Sequence, residues 1–354
     1  MATSAEYGLG DYAFPRGWFV VADSAEIGRA PCNVRYFGQD LVLYRGESGR
    51  VVMLDAYCPH MGTHIGMSKT SATVESDRFM EGDNIRCPFH GWRFGPDGKC
   101  NHIPYFDGPI PAGARIRSWQ VEERYGLIFA WHDPEKQAPD YPLPEIAQWD
   151  DPAWVRWTRL DHLGDLQHPI EIVDNTSDVA HLEQLHGSGV CKYENEVEGH
   201  ILHQRQSAGT AFADAATFTT ICQYYGPAML LSDYVEAGAF QIIAHTPIDD
   251  GKARLWQVIM MRSRTGTVDD QARAERDALS TTVIGGLMRD AEVWANKRPA
   301  ISVMQLPSDG PFRQSRVWYS QFYNARVKVP GILKPVTGKH YAMGMPPFVQ
   351  RAAG

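Results

Sequence analysis

Cys58-Pro-His60 and, 27 positions further on, Cys87-Pro-Phe-His90 each place one thiol and one imidazole on a short loop. Two thiolates can hold one iron while two imidazoles hold a second. The anionic sulfurs suit the iron that stays ferric, and the neutral imidazoles raise the potential of the iron that accepts the electron. The four side chains therefore read as a [2Fe-2S] centre that stores one electron. A Cys₂His₂ zinc site uses the same residue types, but its usual pattern separates a Cys pair from a His pair, whereas here each loop carries one of each. Pro59 and Pro88 stiffen the turns, and Gly62 and Gly91 are expected to let backbone N–H groups approach sulfur.

The stretches CPHMG (58–62) and CPFHGWRFGPDGKC (87–100) resemble the two halves of a Rieske box. The 26 residues from Met61 to Arg86 make a longer connection than the resemblance implies, so an extra loop is expected around Lys69 to Asp83. High-potential Rieske proteins resemble this pattern but add a cysteine to each loop. Thr63 and Phe89 stand at those places here, which implies no disulfide and a lower-potential cluster that feeds oxygen activation.

With 354 residues, 44% of them hydrophobic, the chain can bury two substantial cores. Cys32, Cys100, Cys191 and Cys222 are scattered without a pairing pattern, which fits a reducing compartment. The N-terminus lacks a basic region followed by an apolar core, and no stretch approaches a membrane span, so a soluble, cytoplasmic protein is expected. A formal charge of −8 without a basic run argues against nucleic acid as a partner.

The expected fold class is α+β. Short β-type runs (Trp18 to Ala22, Asp40 to Tyr44, Val51 to Leu54, Gly126 to Trp131) separated by turns make residues 1–150 an all-β module. It closes with a Pro- and acid-rich surface linker over 133–152. In 151–354 a helical stretch (169–186) precedes strand-like runs (196–262) and a long helix from Thr267 and Asp269 to residue 296, predicting an antiparallel sheet that grips a helix. The Pro-rich tail after Val329 is expected to be irregular.

The second domain offers a consumer for the electrons. His181 and His186, five positions apart, lie about 140° apart on a regular helix, so they converge on one ion only if the helix ends or bulges between them. Gly187 and Gly189 supply a stop. Asn175, Asp178 and His181 follow at i, i+3, i+6, which puts Asp178 on the side of the first histidine. Two imidazoles need a carboxylate to complete a facial triad that leaves positions open for O₂. Asp290 occupies the apolar stripe Leu279, Val283, Leu287, Asp290, Trp294, where an unpaired carboxylate is unfavourable and calls for a cation. An arginine such as Arg289 from a neighbouring segment is the competing partner, and Gly285-Gly286 is a place for the helix to kink.

The pattern N-x-x-D-x-x-H-x₄-H resembles the mononuclear iron motif of Rieske non-haem iron oxygenases, over roughly residues 15 to 325. The resemblance implies a helix-grip catalytic domain, Fe(II) on His181, His186 and Asp290, a ring of three subunits, and Asp178 as the acid that links the cluster of one subunit to the iron of its neighbour. EIVDN (171–175), VEGHI (197–201), YYGPAM (224–229), RDAEVW (289–294) and RVWYSQFY (316–323) resemble 3-ketosteroid 9α-hydroxylase oxygenase components and related sterol desaturases. Hydroxylation of a bulky, apolar, polycyclic substrate is thereby implied. Desaturation or O/N-demethylation by the same oxidant, or a non-catalytic electron carrier, are the alternatives. Between the iron histidines Leu182-Glu-Gln-Leu185 departs from the aromatic character of the steroid enzymes: Glu183 and Gln184 either face solvent or imply a more polar substrate. No nucleotide-binding loop and no plant-type ferredoxin cysteine run is present, so an NAD(P)H-dependent flavin/iron–sulfur reductase, directly or through a ferredoxin, is expected to supply electrons.

Overall fold

A computed structural model describes residues 1–210, 218–346 and 348. The chain divides into two compact units, Val20–Trp131 and Met1–Phe19 with His132–Gly354. No helix among the described residues is long and apolar enough to cross a membrane.

The smaller unit is built from three antiparallel sheets. One orders the strands Gly17–Asp23, Leu127–His132 and Val121–Arg124; a second pairs Cys32–Tyr36, Gln39–Arg45 and Val51–Asp55; a third runs Met80–Glu81, Asn84–Arg86, Arg93–Phe94, Cys100–His102. Each β-type run of the sequence becomes a strand because its β-branched and aromatic residues are buried, with residues of Asp40 to Tyr44 and Val51 to Leu54 in one core around the two cysteines. Val42, Tyr44, Leu54, Ile85 and Phe94 pack there, and Cys58 and Cys87 are buried among them. The extra loop contains a short helix, Ala72–Glu75, and the hairpin formed by Met80–Glu81 and Asn84–Arg86.

The larger unit has a nine-stranded antiparallel sheet. Its order is Trp154–Val155, Lys252–Arg262, Ala239–Asp249, Met229–Tyr234, Phe218–Tyr225, Ile201–Thr210, Ser188–Glu198, Gly338–His340, with Asp161–Leu166 also on Lys252–Arg262. The helix Asp270–Asn296 is continuous through Gly285-Gly286, and Asp269 caps it by accepting the Ala272 N–H at 2.8 Å. Two expectations are corrected. The stretch 133–152 is no surface linker: Asp133, Tyr141, Leu143 and Ile146 are buried, and Asp133 binds Arg326. Nor is the tail wholly irregular, since Val329–Leu333 is helical and Gly338–His340 extends the sheet by pairing with Ser188–Glu198.

Candidate active site

The two cluster loops have the same backbone design. Gly62 N–H donates to Cys58 O (2.9 Å) and Cys58 N–H to Thr63 O (2.9 Å); Gly91 N–H donates to Cys87 O (3.0 Å) and Cys87 N–H to Trp92 O (2.7 Å). Both glycines sit at φ +72°, where a side chain would be strained. They close the turns rather than feeding sulfur: the N–H groups aimed at sulfur come from His60 on Cys58 and from Phe89 and His90 on Cys87. The Thr63 hydroxyl adds another donor to Cys87. The two thiols hydrogen-bond each other, which raises Cys58 and lowers Cys87. Buried sulfurs ringed by donors are what an anionic cluster needs, so these residues fit a [2Fe-2S] group. The rings of His60 and His90 lie 4.7 Å apart, with Trp92 stacked on His60 at 4.6 Å. Cys58 and Cys87 are buried while His60 is exposed and His90 partly so, which puts the imidazole end toward solvent.

In the larger unit the helical stretch is interrupted, but before the histidines and not between them. Ile170–Asn175 ends, and Ala180–His186 begins after a break at 176–179. Asp178 starts the second helix by accepting the N–H groups of Ala180 (3.0 Å) and His181 (3.2 Å). Gly187, left-handed at φ +69°, ends it directly after His186. His186 is thus the last helical residue, and its ring reaches to 5.4 Å from that of His181.

The break leaves polar groups outside the helical hydrogen-bond pattern, and the sheet supplies partners for two of them. Thr176 O accepts from Tyr193 Oη (2.9 Å) and Gln204 Nε2 (2.7 Å), and Ser177 Oγ accepts from Asn195 Nδ2 (3.2 Å). A Cβ on Gly310 would lie 1.8 Å from Ser177 O, so the chain passes close to the break only because that residue lacks a side chain.

Asp290, buried on the long helix, comes to this pair from 104 residues further along. His186 Nε2 lies 3.3 Å and His181 Nε2 3.9 Å from Asp290 Oδ1, and the three ligand atoms lie within 4.8 Å of one another. Asn175 Nδ2 donates to the same oxygen at 2.8 Å. Among the described residues no lysine or arginine pairs with Asp290; Arg289 turns to Leu185 O instead. A buried carboxylate facing two imidazoles and an amide fits a divalent cation. Asp178 Oδ2 stands 3.7 Å from His181 Nδ1. Burial pushes the Asp178 carboxyl up, but hydrogen bonding and the charge of His181 outweigh this and hold it below its ordinary value. Glu183 and Gln184 are exposed, so neither faces the three ligands.

Beside them lies a cavity of about 380 Å³, between the long helix and the sheet. Ile172, Leu230, Ile243 and Leu287 give it apolar walls. The sequence did not reveal its polar wall: Gln204, Cys222, Ser232 and Gln241 stand opposite one another on successive strands, all buried and all lining the cavity. A polar residue on a strand is ordinarily read as facing solvent, so these four carried no signal of a cavity.

Residues 17–120 match the Rieske [2Fe-2S] domain and residues 130–323 the 3-ketosteroid 9alpha-hydroxylase C-terminal domain. The chain belongs to the 3-ketosteroid 9α-hydroxylase family. It is 32% identical to the 3-ketosteroid-9-alpha-monooxygenase oxygenase component of Rhodococcus rhodochrous, over 96% of this chain and 90% of that one. It is 28% identical to cholesterol 7-desaturase of Caenorhabditis elegans, over 88% and 77%. Dicamba monooxygenase, in an apo crystal structure, shares the fold with a TM-score of 0.65 at 19% identity, covering 90% of this chain and 98% of that one. As a 3-ketosteroid 9α-hydroxylase family member the chain is a Rieske-type monooxygenase.

Proposed function

We propose that this chain is the terminal oxygenase component of a multicomponent monooxygenase that hydroxylates a bulky, apolar, steroid-like substrate. The observation that carries the reading is the convergence of His181, His186 and Asp290 on the edge of an apolar-walled cavity. Cys58, His60, Cys87 and His90 would hold the [2Fe-2S] cluster, and His181, His186 and Asp290 the Fe(II). Bound there, the cluster supplies single electrons and the ferrous ion activates O₂.

The protein's own part is positioning. Asn175 orients Asp290 by donating to Oδ1, the oxygen that both imidazole Nε2 atoms face. Asp178, beside His181 Nδ1, is placed to keep that ring's proton on Nδ1 and to serve as the link toward the cluster of a second subunit. A homotrimer would supply that cluster. Electrons would come from a separate NAD(P)H-dependent flavin/iron–sulfur reductase, directly or through a ferredoxin.

A panel of 3-ketosteroids and other polycycles, with a surrogate reductase and oxygen uptake coupled to product, tests the reading. One oxygen atom from labelled O₂ should appear in the product. Similarity to a sterol desaturase favours one second reading, in which the same site removes two hydrogens; a product two mass units lighter and unlabelled would decide for it.

A further inference from the structure

Glycine in the interior of a helix weakens it, because the backbone loses more freedom on folding than alanine would. The helix Asp270–Asn296 nonetheless carries two glycines in succession, Gly285 and Gly286. Neither is required by the backbone: both lie within the continuous helix, outside the left-handed positions. Neither is required by packing, since a Cβ at either meets no described atom within 4 Å. Gly310 is the contrast, where a Cβ would strike Ser177 O.

The two differ in what lies beyond them. Gly285 is exposed to solvent, whereas Gly286 lines the cavity, one turn before Asp290 on the same face of the helix. The space over Gly286 is thus cavity beside the three ligand side chains. A second observation points to an occupant of this cavity. Gln206 lines it, is 7% exposed, and its buried Oε1 has no hydrogen-bond partner among the described residues. A buried amide oxygen without a partner is unfavourable unless a ligand donates to it.

We propose that Gly286 is a specificity-determining position, whose missing side chain sets how bulky a ring system the cavity admits next to Asp290. The inference rests on the substrate reading above for the kind of molecule admitted. A fused, rigid polycycle cannot fold away from a protruding methyl, so each carbon added at 286 removes room that such a substrate needs. A smaller ring system loses little.

The test compares Gly286→Ala, Gly286→Leu and Gly285→Ala in the full-length holoprotein with two-ring, three-ring and four-ring ketones, reading Tm, KM and kcat and the dissociation constant by tryptophan fluorescence. Both alanine variants should raise the melting temperature of the larger unit by about 2–4 °C, as expected for a folding unit of that size when helix propensity improves. Gly285→Ala should leave KM unchanged. Gly286→Ala should raise KM and the dissociation constant of the largest accepted ring system tenfold or more, and Gly286→Leu should exclude it, with two-ring ketones altered less than threefold. A size limit that is the same in both Gly286 variants as in Gly285→Ala overturns the proposal. A wild-type protein that accepts only smaller rings would overturn the steroid reading instead, while the limit would still shift, or fail to shift, with residue 286.

Discussion

Asn175 Nδ2 donates to Asp290 Oδ1 at 2.8 Å, the oxygen that also faces His186 Nε2 at 3.3 Å. One side chain from the helix that precedes the histidines thereby orients the carboxylate that arrives from the long helix. Loss of such an outer hydrogen bond typically weakens a metal site by about 10–100-fold. Asn175→Ala is expected to bind its mononuclear iron weaker by that factor with the cluster spectrum unchanged. Iron affinity equal to that of the unaltered protein would show that Asn175 has no orienting role.

Asp290→Ala removes the only anionic member of the trio. The purified variant should contain two irons per chain where the unaltered protein contains three, retain the visible absorbance of the cluster, and lose turnover. Iron analysis with the spectrum checks this, and a third iron retained in the variant would exclude Asp290 as a ligand.

Gln204 holds the break between the two short helices through Thr176 O. In Gln204→Met that carbonyl keeps only the Tyr193 hydroxyl, and a buried hydrogen bond of this kind contributes about 1 kcal/mol. Since the break sets where His181 begins its helix, the loss should appear twice, as a lower urea midpoint and as weaker iron binding. An unchanged midpoint would mean that water replaces the amide.

Arg316 grips Asp174 through Nε at 2.8 Å, and both are largely shielded from solvent. Burial raises the Asp174 carboxyl above its ordinary value even though the guanidinium opposes this. Arg316→Met would strand a buried acid at a cost of about 3–5 kcal/mol, and Asp174→Asn added to it should recover part of that loss. Denaturant titration of the two variants decides it: a double variant no more stable than the single one would argue that packing, and not charge, is lost.

Acid should destabilise the larger unit through His168 and His245. Both are buried, and burial lowers each from 6.5 to about 3. His168 Nδ1 accepts the Ile170 N–H at 3.1 Å, so the neutral ring's proton sits on Nε2, toward Ser4 Oγ at 2.9 Å. The unfolded chain therefore binds more protons than the folded one between pH 6.5 and 3. Stability is full above pH 6.5 and falls as the pH drops through that window. By pH 5 each histidine accounts for about 2 kcal/mol. Melting curves between pH 7.5 and 4.5 should show a steep loss that His245→Gln makes shallower; an identical slope in that variant would assign the acid lability to other groups.

Much of this protein could be read from its chain. The proposed cluster ligands stood out because each pair is local: a Cys and a His two or three positions apart, within one turn closed by a glycine. The two candidate iron histidines stood out for the same reason, and Asp290 because a carboxylate in an apolar helical stripe is a conflict that calls for a cation; the structure brings the three side chains together. The helix stop at Gly187 followed from local rules. The placement of the break did not: its Thr176 carbonyl is held by Tyr193 and Gln204 and its Ser177 hydroxyl by Asn195, on strands that the local pattern does not link to it.

The sequence alone singled out the candidate metal-binding side chains, since ligand-type residues and turn residues are properties of short segments. Only the tertiary structure decided which face of the sheet is inside. Alternation with period two says that the faces differ, not which one is buried, and a face that lines a cavity is polar where a packed core would be apolar. The inward row from Gln204 to Gln241, the Gln206 Oε1 without a partner among the described residues and the gap above Gly286 arise because the helix Asp270–Asn296 lies across that face and leaves a ligand's volume between.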